Sequence, residues 1–183
     1  NLHCSYCDTR YAAEAEGSET TLEAVLERVA AAEAELVCIT GGEPLLHPDV
    51  PELCSRLLAE GFETVVETNG SRRIQPLPDG TVRVLDVKCP GSGEEGAFLE
   101  DNLEALDGRD EAKFVLTDRD DFRWARAVVE RHSLTQRCAV LFAPAHDILE
   151  PDRLADWLLD WSAPVRLQLQ LHRLLWPGRE RST

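Results

Sequence analysis

Short apolar runs that close on glycine, asparagine or proline alternate with stretches of helical periodicity along most of the chain, and few folds accommodate that order. Leu22, Val25, Leu26 and Val29 recur at helical spacing behind Thr20 and Thr21, either of which suits a helix N-cap. Leu36-Val37-Cys38-Ile39-Thr40, bounded by Gly41-Gly42, reads as a buried strand. Further strands are expected over 64–66, 82–87, 113–116, 138–142 and 165–171, and helices over 51–60, 98–106, 121–131 and 151–161. Strands alternating with helices indicate parallel β/α units. The strand ends carry small or polar clusters: Thr40-Gly41-Gly42-Glu43, Glu67-Thr68-Asn69-Gly70, Lys88-Cys89-Pro90-Gly91-Ser92 and Gln170-Leu171-His172. In a β/α barrel the carboxyl ends of the strands form the active face, so these clusters would converge on one mouth. Glycine and proline terminate strands anywhere, but that does not account for the Glu, Lys and His among them. The expected fold is α/β: a partial TIM-type barrel of about six parallel strands, open at one side, in one domain spanning 1–183.

Composition removes several function classes. With 43% hydrophobic residues in 183, the chain can bury a core without disulfide or metal staples. The net charge of −15 argues against non-specific binding to nucleic acid or to an anionic membrane, both of which need basic surface. The acids between positions 14 and 35 fit the solvated face of a helix. No apolar run reaches the roughly 18 residues of a membrane span. Asn1-Leu2-His3-Cys4 does not read as a signal peptide, and with no Met in the chain the native start is expected upstream. The six cysteines lack the setting of a secreted disulfide framework, so a reducing, cytoplasmic location is expected. Cys38 and Cys54, inside apolar patterns, are expected to be buried, inert thiols.

Cys4-Ser5-Tyr6-Cys7-Asp8-Thr9 is different. A C-x-x-C pair can hold zinc, exchange disulfides or supply two thiolates to an iron–sulfur cluster. Structural zinc calls for a second close Cys or Cys/His pair, which is missing, and Asp8-Thr9-Arg10-Tyr11 is a poor start for the helix of a thioredoxin-like motif. One β/α unit later, Thr40-Gly41-Gly42-Glu43-Pro44 places glycines where backbone can approach a ligand and a carboxylate where an ammonium group could be held.

Together the two motifs resemble the radical S-adenosylmethionine superfamily, which binds a 4Fe–4S cluster through C-x-x-x-C-x-x-C and the methionine amino group through G-G-E-P. Cys4-Ser5-Tyr6-Cys7-Asp8-Thr9 is similar to the 7-carboxy-7-deazaguanine synthases within it. So are Val66-Glu67-Thr68-Asn69-Gly70, Asp86-Val87-Lys88-Cys89-Pro90-Gly91-Ser92-Gly93 and Leu167-Gln168-Leu169-Gln170-Leu171-His172-Arg173, in the family's order along nearly the whole chain. The chain departs from the pattern at its start, because the first cluster cysteine and the upstream strand would precede Asn1.

The resemblance implies roles residue by residue. Cys4 and Cys7 ligate the cluster, with S-adenosylmethionine on its open iron, and Tyr6 lies near the adenine. Gly42 and Glu43 hold the methionine amino group, and Lys88, Pro90 and Ser92 contact the ribose or carboxylate of that cofactor. Phe142 to Ala145, Pro144 included, supply the backbone edge of the adenine pocket. Thr9 ligates Mg2+ with Asp8 in support, a hydroxyl and a carboxylate suiting a hard cation. Thr40, Glu67 and His172 face the substrate. The implied reaction cleaves S-adenosylmethionine to a 5′-deoxyadenosyl radical that abstracts hydrogen from C6 of 6-carboxy-5,6,7,8-tetrahydropterin. Ring contraction and loss of ammonia then give 7-carboxy-7-deazaguanine. An external electron donor such as flavodoxin or ferredoxin is implied, and a homodimer is allowed. The competing readings are a surface base at Lys88, a solvated strand-end acid at Glu67 and a structural hydrogen-bonding residue at His172. At the level of the whole chain they are a glycyl-radical activase and a non-catalytic zinc or electron-transfer module.

Overall fold

In the computed structural model, which describes residues 1–7 and 17–176, six parallel strands pair in chain order. They are β1 (Leu36–Ile39), β2 (Glu63–Thr68), β3 (Val82–Lys88), β4 (Glu111–Leu116), β5 (Ala139–Pro144) and β6 (Arg166–Leu167). The helices are α1 (Leu22–Ala30), α2 (Val50–Ala59), α3 (Glu100–Glu104), α4 (Arg119–Arg131), α5 (Pro151–Trp161) and α6 (Leu171–Leu175). Local chemistry explains their starts. The Thr21 hydroxyl accepts from the Ala24 N–H at 3.2 Å to cap α1. The Asp118 carboxylate accepts from the N–H groups of Asp120 and Asp121, both at 2.9 Å, to cap α4. Pro51 occupies the first turn of α2, and Gly61 follows its end at φ +91, a conformation that favours glycine.

A doubly wound sheet reverses its strand order at a switch point; here the order never reverses, so the crossovers lie on one face and the other is left free. The covered face carries the core. Val66, Leu85, Val87, Phe114, Leu116, Val140 and Phe142 are buried there with Phe122 and Ala125 of α4 and Leu154 of α5. The Phe142 ring lies 5.3 Å from Phe114, 5.9 Å from Phe122 and 5.8 Å from Trp161. Alternation sends the intervening residues to the other face: Cys38, Glu67, Asp86, Lys88, Lys113 and Val115. That face is concave. Burial pushes the Cys38 thiol up there, and the Glu67 carboxylate adds to that.

Four expectations are corrected. β1 is an edge strand paired with β2 alone among the described residues; Leu36 is 48% exposed, so the strand is not buried. Cys38 opens onto the concave face and is an exposed thiol, whereas Cys54 is fully buried and its thiol is pushed up to about 11 by burial. The last strand spans only Arg166–Leu167, and the chain then turns into α6, so His172 lies on a helix and not at a strand end. α3 is also shorter than expected. The Leu99 N–H donates to the Gly70 carbonyl at 2.9 Å, and Asn102 is drawn into the loop after β2 by hydrogen bonds to the Gly70 and Arg72 carbonyls.

Candidate active site

Parallel strands put all their carboxyl ends at one mouth, and residues 1–7 lie across it. The Asn1 amide donates to Ser71 Oγ at 2.9 Å and Asn1 Oδ1 accepts from Asn69 at 3.0 Å. The His3 N–H donates to Glu94 Oε1 at 2.7 Å, the Ser5 N–H to the Ser92 carbonyl at 3.0 Å, and the Ser5 hydroxyl to the Gly91 carbonyl at 2.8 Å. Between these ties the Cys7 N–H closes a turn on the Cys4 carbonyl at 3.1 Å, which brings both thiols to one place. Cys4 is buried and Cys7 partly exposed. Burial pushes the Cys4 thiol up, against the opposing pull of the Lys88 ammonium. The Tyr6 ring packs on Val115, Ala143 and Ala145, and its hydroxyl is buried without a hydrogen-bond partner. Burial, then the nearby Asp86 charge, pushes that phenol far above its usual range.

The turn after β1 leaves room for a ligand. Nothing stands within 4 Å of where a Cβ on Gly41 or Gly42 would point, and Gly41 has φ +142. Glu43 is buried at 4% exposure and accepts three hydrogen bonds. Its Oε1 accepts from the Leu45 N–H at 3.0 Å and the Thr68 hydroxyl at 2.7 Å, its Oε2 from the Asn69 N–H at 2.8 Å. The carboxylate therefore bolts the end of β1 to the end of β2; a fourth lone-pair direction remains for an ammonium group.

At the end of β3, Lys88 Nζ pairs with Asp86 Oδ2 at 2.7 Å. Burial opposes the lysine's charge, but the carboxylate outweighs it and raises its pKa. The following turn, Pro90–Ser92, is held from below: Asp121 accepts from the Gly91 N–H at 2.8 Å and from the Thr117 N–H and hydroxyl at 2.8 and 2.7 Å. The Ser92 hydroxyl donates to the Cys89 carbonyl at 2.6 Å, so it braces the turn that carries Pro90 and receives Ser5.

The sequence-derived residues thus fall into groups. Cys4, Tyr6, Cys7, Lys88, Pro90 and Ser92 come together around the turn after β3, with Gly42 and Glu43 on the turn after β1 at the same mouth. Thr40 and Glu67 lie at the ends of β1 and β2, Thr40 exposed and Glu67 partly buried on the concave face. Pro144 closes β5 at the mouth. The Phe142 side chain lies in the core on the opposite face, and its carbonyl accepts from the Gln168 N–H at 2.9 Å. His172 is exposed on α6. Asp8 and Thr9 lie outside the described residues. The sequence reading gave no role to Asp86 or Asp121. Asp86 and Lys88, two apart on a strand, necessarily share a face, and that signal was present.

The donor set fits a cluster-bound cofactor: two thiols on one turn, an aromatic ring beside them, an open glycine turn and a carboxylate. Comparison with known proteins agrees. The family model described as "Radical SAM superfamily" matches residues 1–86. The 7-carboxy-7-deazaguanine synthase of Koribacter versatilis is 38% identical over 96% of this chain and 84% of its own. That of Chlorobaculum tepidum is 35% identical over 94% of this chain and 80% of its own. The crystal structure of QueE from Escherichia coli superposes with a TM-score of 0.72 at 22% identity, covering 93% of this chain and 80% of that one, a likeness of fold. By its sequence relatives, the chain belongs to the 7-carboxy-7-deazaguanine synthase family of radical S-adenosylmethionine enzymes.

Proposed function

We propose that the protein converts 6-carboxy-5,6,7,8-tetrahydropterin to 7-carboxy-7-deazaguanine with loss of ammonia, on the route to deazapurine nucleosides such as queuosine. One observation carries the reading: the Cys4–Cys7 turn is tied through Ser5 to the Gly91 and Ser92 carbonyls at the same mouth as the open Gly41-Gly42 turn. A 4Fe–4S cluster and S-adenosylmethionine supply radical hydrogen abstraction, chemistry that no side chain provides.

This chain's residues position and exclude. Cys4 and Cys7 would hold the cluster, and Tyr6, packed on Val115, Ala143 and Ala145, would lie near the adenine. Gly42 and Glu43 would hold the methionine ammonium, Lys88, Pro90 and Ser92 would contact the ribose or carboxylate of the cofactor, and the 142–145 backbone would serve the adenine. Thr40, Glu67 and His172 orient the pterin, and Thr9 with Asp8 holds Mg2+. Flavodoxin or ferredoxin donates the electron, the chain acts as a homodimer, and the reducing cytoplasm suits its six free thiols.

The test is turnover by the anaerobically reconstituted holoenzyme. Expected are a brown iron–sulfur absorbance, ammonia and 7-carboxy-7-deazaguanine in equal amounts, and loss of all three in Cys7→Ala. In Thr9→Ala the cluster should persist while magnesium stimulation weakens. A cluster-loaded protein that leaves the pterin unchanged with S-adenosylmethionine, reductant and magnesium present would sink the proposal.

A further inference from the structure

The crossover from β3 to β4 covers its part of the sheet incompletely. Its helix α3 has only five residues, and the segment before it, 93–99, runs beside α4 in turns. A cavity of about 340 Å³ lies between them, on the helix-covered side and away from the mouth. Glu95, Phe98 and Glu100 line one wall, and Trp124, Val128 and Arg131 of α4 the other. The volume falls within the roughly 300–1,000 Å³ of small-molecule sites. The walls are held in place. The Leu99 N–H donates to the Gly70 carbonyl at 2.9 Å, and Glu94 accepts from the His3 N–H at 2.7 Å. These ties anchor the segment on the side away from α4, so the cavity is preformed.

Trp124, Val128 and Arg131, four and three residues apart, share one face of α4. Trp124 is half-buried and meets Phe98 in a T-shaped contact, centroids 6.5 Å apart, which uses at most one face of the indole. Among the described residues its indole N–H enters no hydrogen bond, and Glu95, Glu100 and Arg131 enter no ion pair. Acids therefore stand on one wall and a guanidinium on the other, with aromatic rings lining the space. The acids call for N–H donors, the guanidinium for a carboxylate and the indole for a flat ring. A simple cation leaves Arg131 unanswered, and a simple anion leaves the acids so. The product of the proposed reaction answers all three: an aminopyrimidinone edge and a carboxylate on a flat aromatic bicycle. The carboxy-tetrahydropterin carries these groups on a reduced, non-planar ring that stacks less well. We infer that this cavity is a second binding site, outside the mouth, for carboxylated purine-like heterocycles, with 7-carboxy-7-deazaguanine as its ligand. The choice of ligand rests on the function proposed above.

The experiment is equilibrium dialysis of 7-carboxy-7-deazaguanine against the reconstituted holoenzyme. S-adenosylmethionine and saturating 6-carboxy-5,6,7,8-tetrahydropterin fill the mouth, and omission of reductant prevents turnover. One product molecule per chain should still bind. Arg131→Met should weaken that binding about tenfold while leaving the affinity for 7-deazaguanine, which lacks the carboxylate, unchanged. The double variant Glu95→Gln, Glu100→Gln should weaken both ligands, and it serves alone if the Met variant fails to fold. No product bound once the mouth is filled, or binding undiminished in both variants, would overturn the inference. So would an equal loss of both ligands in Arg131→Met. Adding reductant then reads turnover separately. Failure of the unaltered protein to convert the pterin would bring down the functional reading, whereas product binding that falls in Arg131→Met would still mark the cavity as a site.

Discussion

Glu43 serves two purposes with two oxygens. Three donors from two segments, the Leu45 and Asn69 N–H groups and the Thr68 hydroxyl, converge on a carboxylate that is 4% exposed. Glu43→Gln keeps the shape but turns one acceptor into a donor, so an N–H must face an N–H in a buried place. The expected cost is about 1–3 kcal/mol, read as a fall in Tm of several degrees, together with weaker binding of S-adenosylmethionine. An unchanged Tm would show that the three hydrogen bonds are dispensable. The motif Gly41-Gly42-Glu43-Pro44 made Glu43 legible as a ligand for the cofactor. It said nothing of the bolt, because Thr68 and Asn69 lie 25 and 26 residues away and local sequence does not announce such partners.

Between residue and fold, the turn after β3 is the element on which most of the site rests, and it is packed without slack. A Cβ on Gly91 would collide with the Thr117 hydroxyl and stand 2.5 Å from Asp121 Oδ2. Gly91→Ala should therefore push the turn away from α4, costing about 1–3 kcal/mol in urea denaturation and loosening the Gly91 carbonyl that receives Ser5. Adding Thr117→Ala removes the colliding hydroxyl and should restore part of both losses; no recovery would place the strain elsewhere. Element positions were largely readable, since α5 begins and ends where its pattern does and all six strands begin within two residues of their expected starts. The failures sit at the sheet margins. Among the described residues β1 and β6 each pair with one strand, so Leu36, which read as buried, is exposed, as is Leu167, and the pattern cannot reveal which strands lie at the margin.

At the scale of the whole molecule, stability and chemistry occupy opposite faces of one sheet, and substitutions should separate them. The resemblance gave Phe142 to the cofactor through its backbone alone, and its ring is fully buried among Phe114, Phe122 and Trp161 on the helix-covered side. Truncating it leaves a cavity in the core, so Phe142→Ala should cost about 3–5 kcal/mol in urea denaturation, and whatever fraction remains folded should still assemble a cluster. The Cys4–Cys7 turn is the converse case. Its position is fixed by the Ser5 and His3 hydrogen bonds to the Gly91–Glu94 loop, none of which uses a thiol. Cys7 is partly exposed and lies outside the core, so Cys7→Ala should leave the apoprotein's urea midpoint nearly unchanged while abolishing the iron–sulfur absorbance. The two variants therefore move two observables in opposite combinations. A large stability loss in the Cys7→Ala apoprotein would mean that the thiol helps to hold the mouth together before any metal arrives. Selective loss of S-adenosylmethionine binding in a fully stable Phe142→Ala protein would move that ring from the core to the cofactor pocket.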